Sequence, residues 1–173
     1  MKTLILYTST HHGNTRKLLD AIAREEGVEL VDLEKDPLPD MNDYDRVGLA
    51  SGIYFGRFSK AVRDMAKMVP ADKDVFLICT SGSGSKKNFD ELIHILEKQN
   101  ANVVGTYQAL GFDTFGPFAL IGGIKKGHPD KREILNARYF YHHLPAPSEF
   151  SRVNSAKRFR FGLSRNPEAK PAA

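Results

Sequence analysis

Residues 2–16 read Lys2-Thr3-Leu4-Ile5-Leu6-Tyr7-Thr8-Ser9-Thr10-His11-His12-Gly13-Asn14-Thr15-Arg16. The unbroken apolar and aromatic run Leu4–Tyr7 predicts a strand buried on both faces, as in a parallel sheet. After Thr15 the pattern turns helical, with Leu18, Leu19, Ile22 and Ala23 on one face. Strand, hydroxyl-rich turn and helix in that order put neutral donors at a helix N-terminus. Such a terminus carries partial positive charge and unpaired N–H groups, which suits a phosphate. An ordinary capped turn would also use Ser, Thr or Asn. Five hydroxyl or amide residues between Thr8 and Thr15 exceed what one cap requires. The turn lacks the GxxxxGK[ST] of a triphosphate loop and the GxGxxG of dinucleotide binding. No Lys or Arg lies between Thr8 and Thr15, so the expected ligand group is a cofactor's terminal monophosphate.

The chain of 173 residues fits one domain, expected over 1–150, followed by a basic, flexible tail over 151–173. The tail from Arg152 carries six basic residues and one acid, a net of +5 out of the whole chain's +4, so the residues before it sum to −1. Its alternation of basic and aromatic residues reads as a solvated end, or as a dock for an acidic partner or neighbouring subunit. Nucleic-acid binding is not expected. Cys79 is the sole cysteine, which excludes an internal disulfide and a Cys-based zinc site. It lies in the apolar run after Val75 and is expected to be a buried, inert thiol. No apolar run approaches the ~18 residues of a membrane span. Two residues before the first strand leave no room for a signal peptide, so a cytoplasmic location is expected.

Further strands are predicted at Val28–Leu33, Asp45–Ser51, Val75–Thr80 and Val103–Leu110. Helices are predicted at about Asn14–Glu26 with Gly27 as the stop, at Ser59–Val69, at Asn88–Gln99, and from Pro129 to about His143. Alternation of this kind predicts a parallel sheet with helices on both faces. Ligands then bind beyond the carboxyl ends of the strands, where strand order reverses.

Three loops should therefore meet there. After the third strand, Gly52-Ile53-Tyr54-Phe55-Gly56-Arg57-Phe58 offers a stacking surface for a flat ring through Tyr54 and Phe55. Phe58 reads as a core anchor, and Arg57 as either an anion contact or a solvated cation. After the fourth strand, Thr80-Ser81-Gly82-Ser83-Gly84 lets backbone approach a ligand closely; a plain flexible turn is the alternative. After the fifth, Gly111–Gly127 holds three phenylalanines and five glycines. It reads as a cover over the cofactor edge, a homodimer interface, or a broken strand with Phe118–Ile121 returning to the sheet. His128, His142 and His143 lack metal-ligand spacing to acids or cysteine, so no metal site is expected.

The 8–15 loop resembles the phosphate loop of flavodoxins, the FMN-binding electron carriers, and is one residue longer at the His pair. The resemblance covers about residues 1–143. It implies a flavodoxin-like, doubly wound five-stranded parallel sheet, order 2-1-3-4-5, with helices on both faces and FMN bound non-covalently. By analogy Ser9, Thr10, His12, Gly13, Asn14 and Thr15 hold the phosphate. Gly52, Ile53, Tyr54, Phe55 and Gly56 flank the isoalloxazine, with a backbone carbonyl among them reaching N5. Thr80, Ser81, Gly82, Ser83 and Gly84 line its other edge, without the second flanking aromatic that flavodoxins place there. Residues 54–62 also resemble the corresponding loop of flavodoxin-type protoporphyrinogen dehydrogenases, whose long insertion is not evident here.

Two classes of activity follow. One is an electron carrier with a redox partner protein. The other is an FMN-dependent oxidoreductase using a small-molecule donor or acceptor, of NAD(P)H/quinone or protoporphyrinogen dehydrogenase type. Flavodoxins are usually strongly acidic and this chain is not, which weighs against a simple carrier. A cofactor-free interaction module on the same fold is the non-redox alternative. A receiver domain would need acids where Thr8-Ser9 and Ser51 stand, and a low-molecular-weight phosphatase would need Cys-x5-Arg after the first strand.

Overall fold

Each apolar run forms a strand because its alternate side chains find cover on opposite faces of one sheet. In the computed structural model, which describes residues 1–112, 114 and 122–148, the strands are β1 (Thr3–Tyr7), β2 (Val28–Asp32), β3 (Arg46–Tyr54), β4 (Arg57–Phe58), β5 (Asp74–Ser81) and β6 (Asn102–Leu110). The helices are α1 (Asn14–Ile22), α2 (Lys60–Ala66), α3 (Asp90–Lys98) and α4 (Lys131–His142). The order across the sheet is β2-β1-β3-β5-β6, all parallel, with β4 antiparallel on the end of β3. Leaving β4 aside, this is the expected 2-1-3-4-5 order. Strand order reverses at β1 and β3, paired from Thr3↔Arg46 to Tyr7↔Ala50.

The period of two divides the core into two layers. Leu4, Leu6, Val47, Leu49, Val75 and Leu77 face Val62 and Ala66 of α2 and Leu92 and Leu96 of α3. Ile5, Tyr7, Phe76 and Ile78 face Leu18, Leu19 and Ile22 of α1 and Ala137 and Tyr141 of α4. Phe76 fits because β3 presents a glycine beneath it: a Cβ on Gly48 would lie 2.4 Å from the ring. Phe58 is buried in the α2/α3 layer, as expected of an anchor. Cys79 is fully buried, and burial pushes its thiol pKa well up, so it stays protonated and inert.

Several boundaries differ from expectation, each for a local reason. α1 ends at Ile22, and the chain turns over Ala23–Gly27 so that the Gly27 carbonyl can accept from Thr3 N–H at 2.8 Å. α2 ends at Ala66, inside the expected Ser59–Val69; Met68 lies beyond it and is exposed, while Ala66 and Val69 fill the core. A 3-10 turn over Lys86–Phe89 precedes α3, so that helix starts at Asp90. Pro129 precedes α4 and does not open it. Asp130 is the N-cap, in a reciprocal capping box with Glu133.

At the amino edge of the sheet, Arg46, Lys73 and Asp74 are almost wholly buried. Lys73 Nζ donates to the Tyr44 carbonyl at 2.6 Å, and Arg46 donates to the Pro145 carbonyl. Asp74 accepts from Ser148 N–H at 2.6 Å, from its hydroxyl at 3.1 Å and from Asn102 Nδ2 at 3.3 Å. The segment after α4 is thereby clamped at the edge opposite the ligand loops. The basic tail and the Phe118–Ile121 return lie outside the described residues. No helix among the described residues is long and apolar enough to cross a membrane.

Candidate functional site

The loop after β1 leaves the sheet with Thr8 N–H donating to the Ala50 carbonyl at 3.1 Å. His12 and Gly13 both adopt positive φ (55° and 64°), which turns the chain sharply into α1. Gly13 is the N-cap and supplies no side chain. Two of the first helical N–H groups find partners. Asn14 N–H donates to the His11 carbonyl at 3.4 Å, and Arg16 N–H to Ser9 Oγ at 3.1 Å. The N–H groups of Gly13 and Thr15 have no partner among the described residues. A Cβ on Gly13 would meet nothing within 4 Å, so the space beside these donors is open.

The side chains of this loop are held from two directions. Thr10 Oγ1 and Tyr54 Oη share a hydrogen bond of 2.7 Å, and the His11 ring lies 5.5 Å from that of Tyr54. His12 Nε2 lies 2.9 Å from Thr114 Oγ1, and its ring packs 4.4 Å from Phe112. Asn14 is buried and donates through Nδ2 to the Phe112 carbonyl at 2.7 Å, while its buried Oδ1 has no partner among the described residues. The Thr15 hydroxyl points inward to Thr80 Oγ1 at 3.0 Å, tying α1 to β5. Thr8 Oγ1 donates to Ser59 Oγ at 2.8 Å, which joins this loop to the cap of α2.

After β3 the structure departs from a loop. β3 runs on through Gly52, Ile53 and Tyr54 and folds back as a hairpin, with Ile53↔Phe58 and Tyr54↔Arg57 paired. Phe55 and Gly56 form the two-residue turn, at φ 51° and 77°. Positive φ at both positions is the type I′ pattern that suits the twist of a hairpin. Tyr54 bends back over Gly52, where a Cβ would come within 3.1 Å of its hydroxyl. Phe55 is 87% exposed. Tyr54, Phe55, Arg57, Phe58, Ser59, Lys60 and Arg63 line a cleft of about 630 Å³ on the hairpin. Arg57 and Arg63 face Glu91 at 3.7 and 3.1 Å, and Lys60 pairs with Asp64 at 2.6 Å.

The loop after β5 is drawn together by Ser81, whose Oγ accepts from Gly84 N–H at 3.0 Å and from Asn88 Nδ2 at 3.3 Å. Gly82 is half-buried, and Ser83 and Gly84 are exposed at the rim. Asn88 Nδ2 also donates to Gln108 Oε1 at 3.0 Å, bracing this loop against β6. Sequence reasoning passed over Asn88 and Gln108. Phe112 and Thr114 belong to the segment read as a cover over the cofactor edge, and a Cβ on the preceding Gly111 would crowd Asn14 and Thr80 at 3.1 and 3.2 Å. His128 differs from expectation too. With Asp130 and Glu133 it forms a cluster of ligand-type atoms within 4.8 Å. Glu133 already accepts from Leu110 N–H, Asp130 N–H and His128, which makes it an anchor of α4.

The loops after β1, β3 and β5 thus meet at one sheet edge, with neutral donors on one side and exposed aromatics on the other. The family model described as a flavodoxin domain matches residues 4–108. The chain belongs to the flavodoxin family. An uncharacterized protein of Methanocaldococcus jannaschii is 34% identical over 143 residues, covering 81% of this chain and 95% of that one. Among solved structures, a flavodoxin of Streptococcus pneumonia has a TM-score of 0.57 at 11% identity, covering 90% of this chain and 99% of that one. Megasphaera elsdenii flavodoxin, solved in its two-electron-reduced form, has a TM-score of 0.53 at 19% identity, covering 78% and 97%. At these identities the likeness is one of fold.

Proposed function

We propose that this flavodoxin-family chain binds FMN non-covalently at the carboxyl edge of β1, β3 and β5 and serves as a flavin redox protein. The observation that carries this reading is the N-terminus of α1. Its Gly13 and Thr15 N–H groups have no partner among the described residues, and no acid stands between Thr8 and Thr15. Neutral donors at a helix terminus match a phosphate monoester. The orphaned Asn14 Oδ1 supports the same reading, because a buried acceptor without a donor costs about 1–3 kcal/mol. A ribityl hydroxyl can supply that donor.

Ser9, Thr10, His12, Gly13 and Asn14 would hold the phosphate and the start of the ribityl chain. Thr15 and Thr80, paired beneath them, hold α1 in register with β5. Tyr54 and Phe55 would cover one face of the ring, and the exposed Ser83-Gly84 backbone would border its far edge. Bound FMN supplies one- or two-electron transfer, and the protein's part is to orient the ring and shield it from water. Tyr54 holds the hairpin to the phosphate loop through Thr10 and so sets the width of the ring slot.

Visible absorption of the purified protein, before and after adding FMN, tests this. Bands near ~370 and ~450 nm that stay with the protein on gel filtration and are released on denaturation are expected. A colourless protein that leaves the fluorescence of added FMN unchanged would overturn the reading and favour the cofactor-free module. Asn14→Ala should weaken FMN retention while leaving the far-ultraviolet circular dichroism intact.

A further inference from the structure

The body before the tail is nearly neutral, yet its charge is not evenly spread. In a parallel sheet every loop that follows a strand's carboxyl end opens at the same edge. Around the candidate site, the described residues of these loops carry only cations. Residues 8–13 and 52–60 contain no acid and include Arg57 and Lys60. Residues 82–89 contribute Lys86 and Lys87, and residues 122–129 contribute Lys125 and Lys126, again without an acid. All six cations are exposed. Lys86, Lys87, Lys125 and Lys126 form no ion pair with any described residue, and Arg57 meets only Glu91, at 3.7 Å. Acids at this edge stand at the helix starts, where Glu91 faces Arg57 and Arg63, Asp64 pairs with Lys60, Asp90 opens α3, and Asp130 and Glu133 cap α4; a further group follows β2, the outermost strand on the far side. Glu25, Glu26, Asp43, Asp45 and Asp72 lie at the opposite, amino edge.

We propose that this carboxyl edge is the docking surface for an acidic protein partner, seated over the hairpin and the cleft beside it. The proposal rests on the flavin reading for its purpose, since a partner docked there would lie against Tyr54 and Phe55. It rests on charge placement for its location. The cleft alone would hold one small anion, but Lys86, Lys87, Lys125 and Lys126 are not among its lining residues. Cations on three separate loops form a surface broad enough for a macromolecule. Rim charges of this kind steer encounter and fix orientation, and they weaken with salt. The exposed Phe55 at the hairpin tip gives the rim an apolar centre.

The test uses the full-length protein, with and without FMN, and fluorescent poly-L-glutamate as the acidic probe. Carbodiimide coupling followed by peptide mapping should place amide links on Lys60, Lys86, Lys87, Lys125 and Lys126, equally in both samples. Anisotropy at low salt should show roughly tenfold weaker binding for K86E/K87E and for K125E/K126E, with K67E/K98E unchanged. Links confined to Lys157 and Lys170 of the tail, or to Lys2, Lys67 and Lys98, would overturn the proposal. So would tighter binding at this edge by citrate, duplex DNA or anionic vesicles than by poly-L-glutamate. Absorbance of the same samples reads FMN uptake separately. Lost FMN binding with intact coupling would therefore refute the flavin reading and leave the surface standing.

Discussion

Phe55 opposes local stability to ligand binding, and Phe55→Asn separates the two. The residue sits at φ 51° in the first central position of the hairpin turn, yet its side chain is 87% exposed. A left-handed conformation costs an ordinary L-residue about 1–2 kcal/mol, and asparagine is among the residues that adopt it most readily. Little packing is lost when an exposed ring is removed. Phe55→Asn should therefore stabilise the FMN-free protein by about 1 kcal/mol, or roughly 2–4 °C in Tm for a chain of this size. If the ring covers FMN, the same change removes an aromatic stack worth about 0.5–1.5 kcal/mol. The Kd for FMN, read by flavin fluorescence quenching, should then rise about two- to tenfold. A lower Tm would refute the strain argument, because it would mean that the Phe55 side chain contributes more than its backbone geometry costs. A higher Tm with unchanged Kd would refute the stacking role and leave the turn argument intact.

Gly48→Ala drives a methyl group toward the Phe76 ring, 2.4 Å away before relaxation, in a fully buried layer. A loss of about 1–3 kcal/mol in urea denaturation is expected; a neutral result would mean that the ring has room to move. Asp74→Ala strips the buried Arg46 and Lys73 of their neighbouring carboxylate and releases Ser148, so a loss of about 3–5 kcal/mol is expected. Asp74→Asn, which keeps the shape and part of the hydrogen bonding, should lie between. Acid stability should carry the mark of two half-buried carboxylates. Hydrogen bonds from Lys60 and Lys67 hold Asp64 down to about 2, and the hydrogen bond from Arg138, with His142 also near, lowers Glu25. Because both folded pKa values are depressed, their stabilisation is complete above the unfolded carboxylate range and is lost as pH falls through the folded values. Asp64→Asn and Glu25→Gln should therefore flatten the Tm decline between neutral pH and pH ~3, and an unchanged slope would show that these pairs are screened out.

Much of this architecture was legible because its signals are local. Leu4–Tyr7 and Val75–Thr80 are too apolar to be anything but interior strands, and the switch to helical spacing at Leu18 marks α1. The hairpin at Phe55-Gly56 was not legible. A type I′ turn advertises itself through Asn-Gly or Asp-Gly, and a phenylalanine at the first position hides it. The early end of α1 was likewise hidden, since Arg24-Glu25-Glu26 have good helix propensity. Only the pairing of Gly27 with Thr3 makes the chain turn sooner.

The candidate site divides along the same line. Residues 8–15 pointed to a phosphate loop from composition alone, because five hydroxyl or amide residues at a strand–helix junction exceed what one helix cap requires. That Asn14 reaches Phe112, that His12 packs on Phe112 and meets Thr114, and that Thr10 clasps Tyr54 depended on segments about a hundred and about forty residues away in sequence. The grouping of Arg57, Lys60, Lys86, Lys87, Lys125 and Lys126 on one edge is of the same kind. By itself the sequence determined the element types, their order and the chemistry of the first loop, because propensity and periodicity act over a few residues. The tertiary structure alone decided which loops share an edge, because parallel pairing sends every carboxyl end the same way and brings together charges that are scattered along the chain.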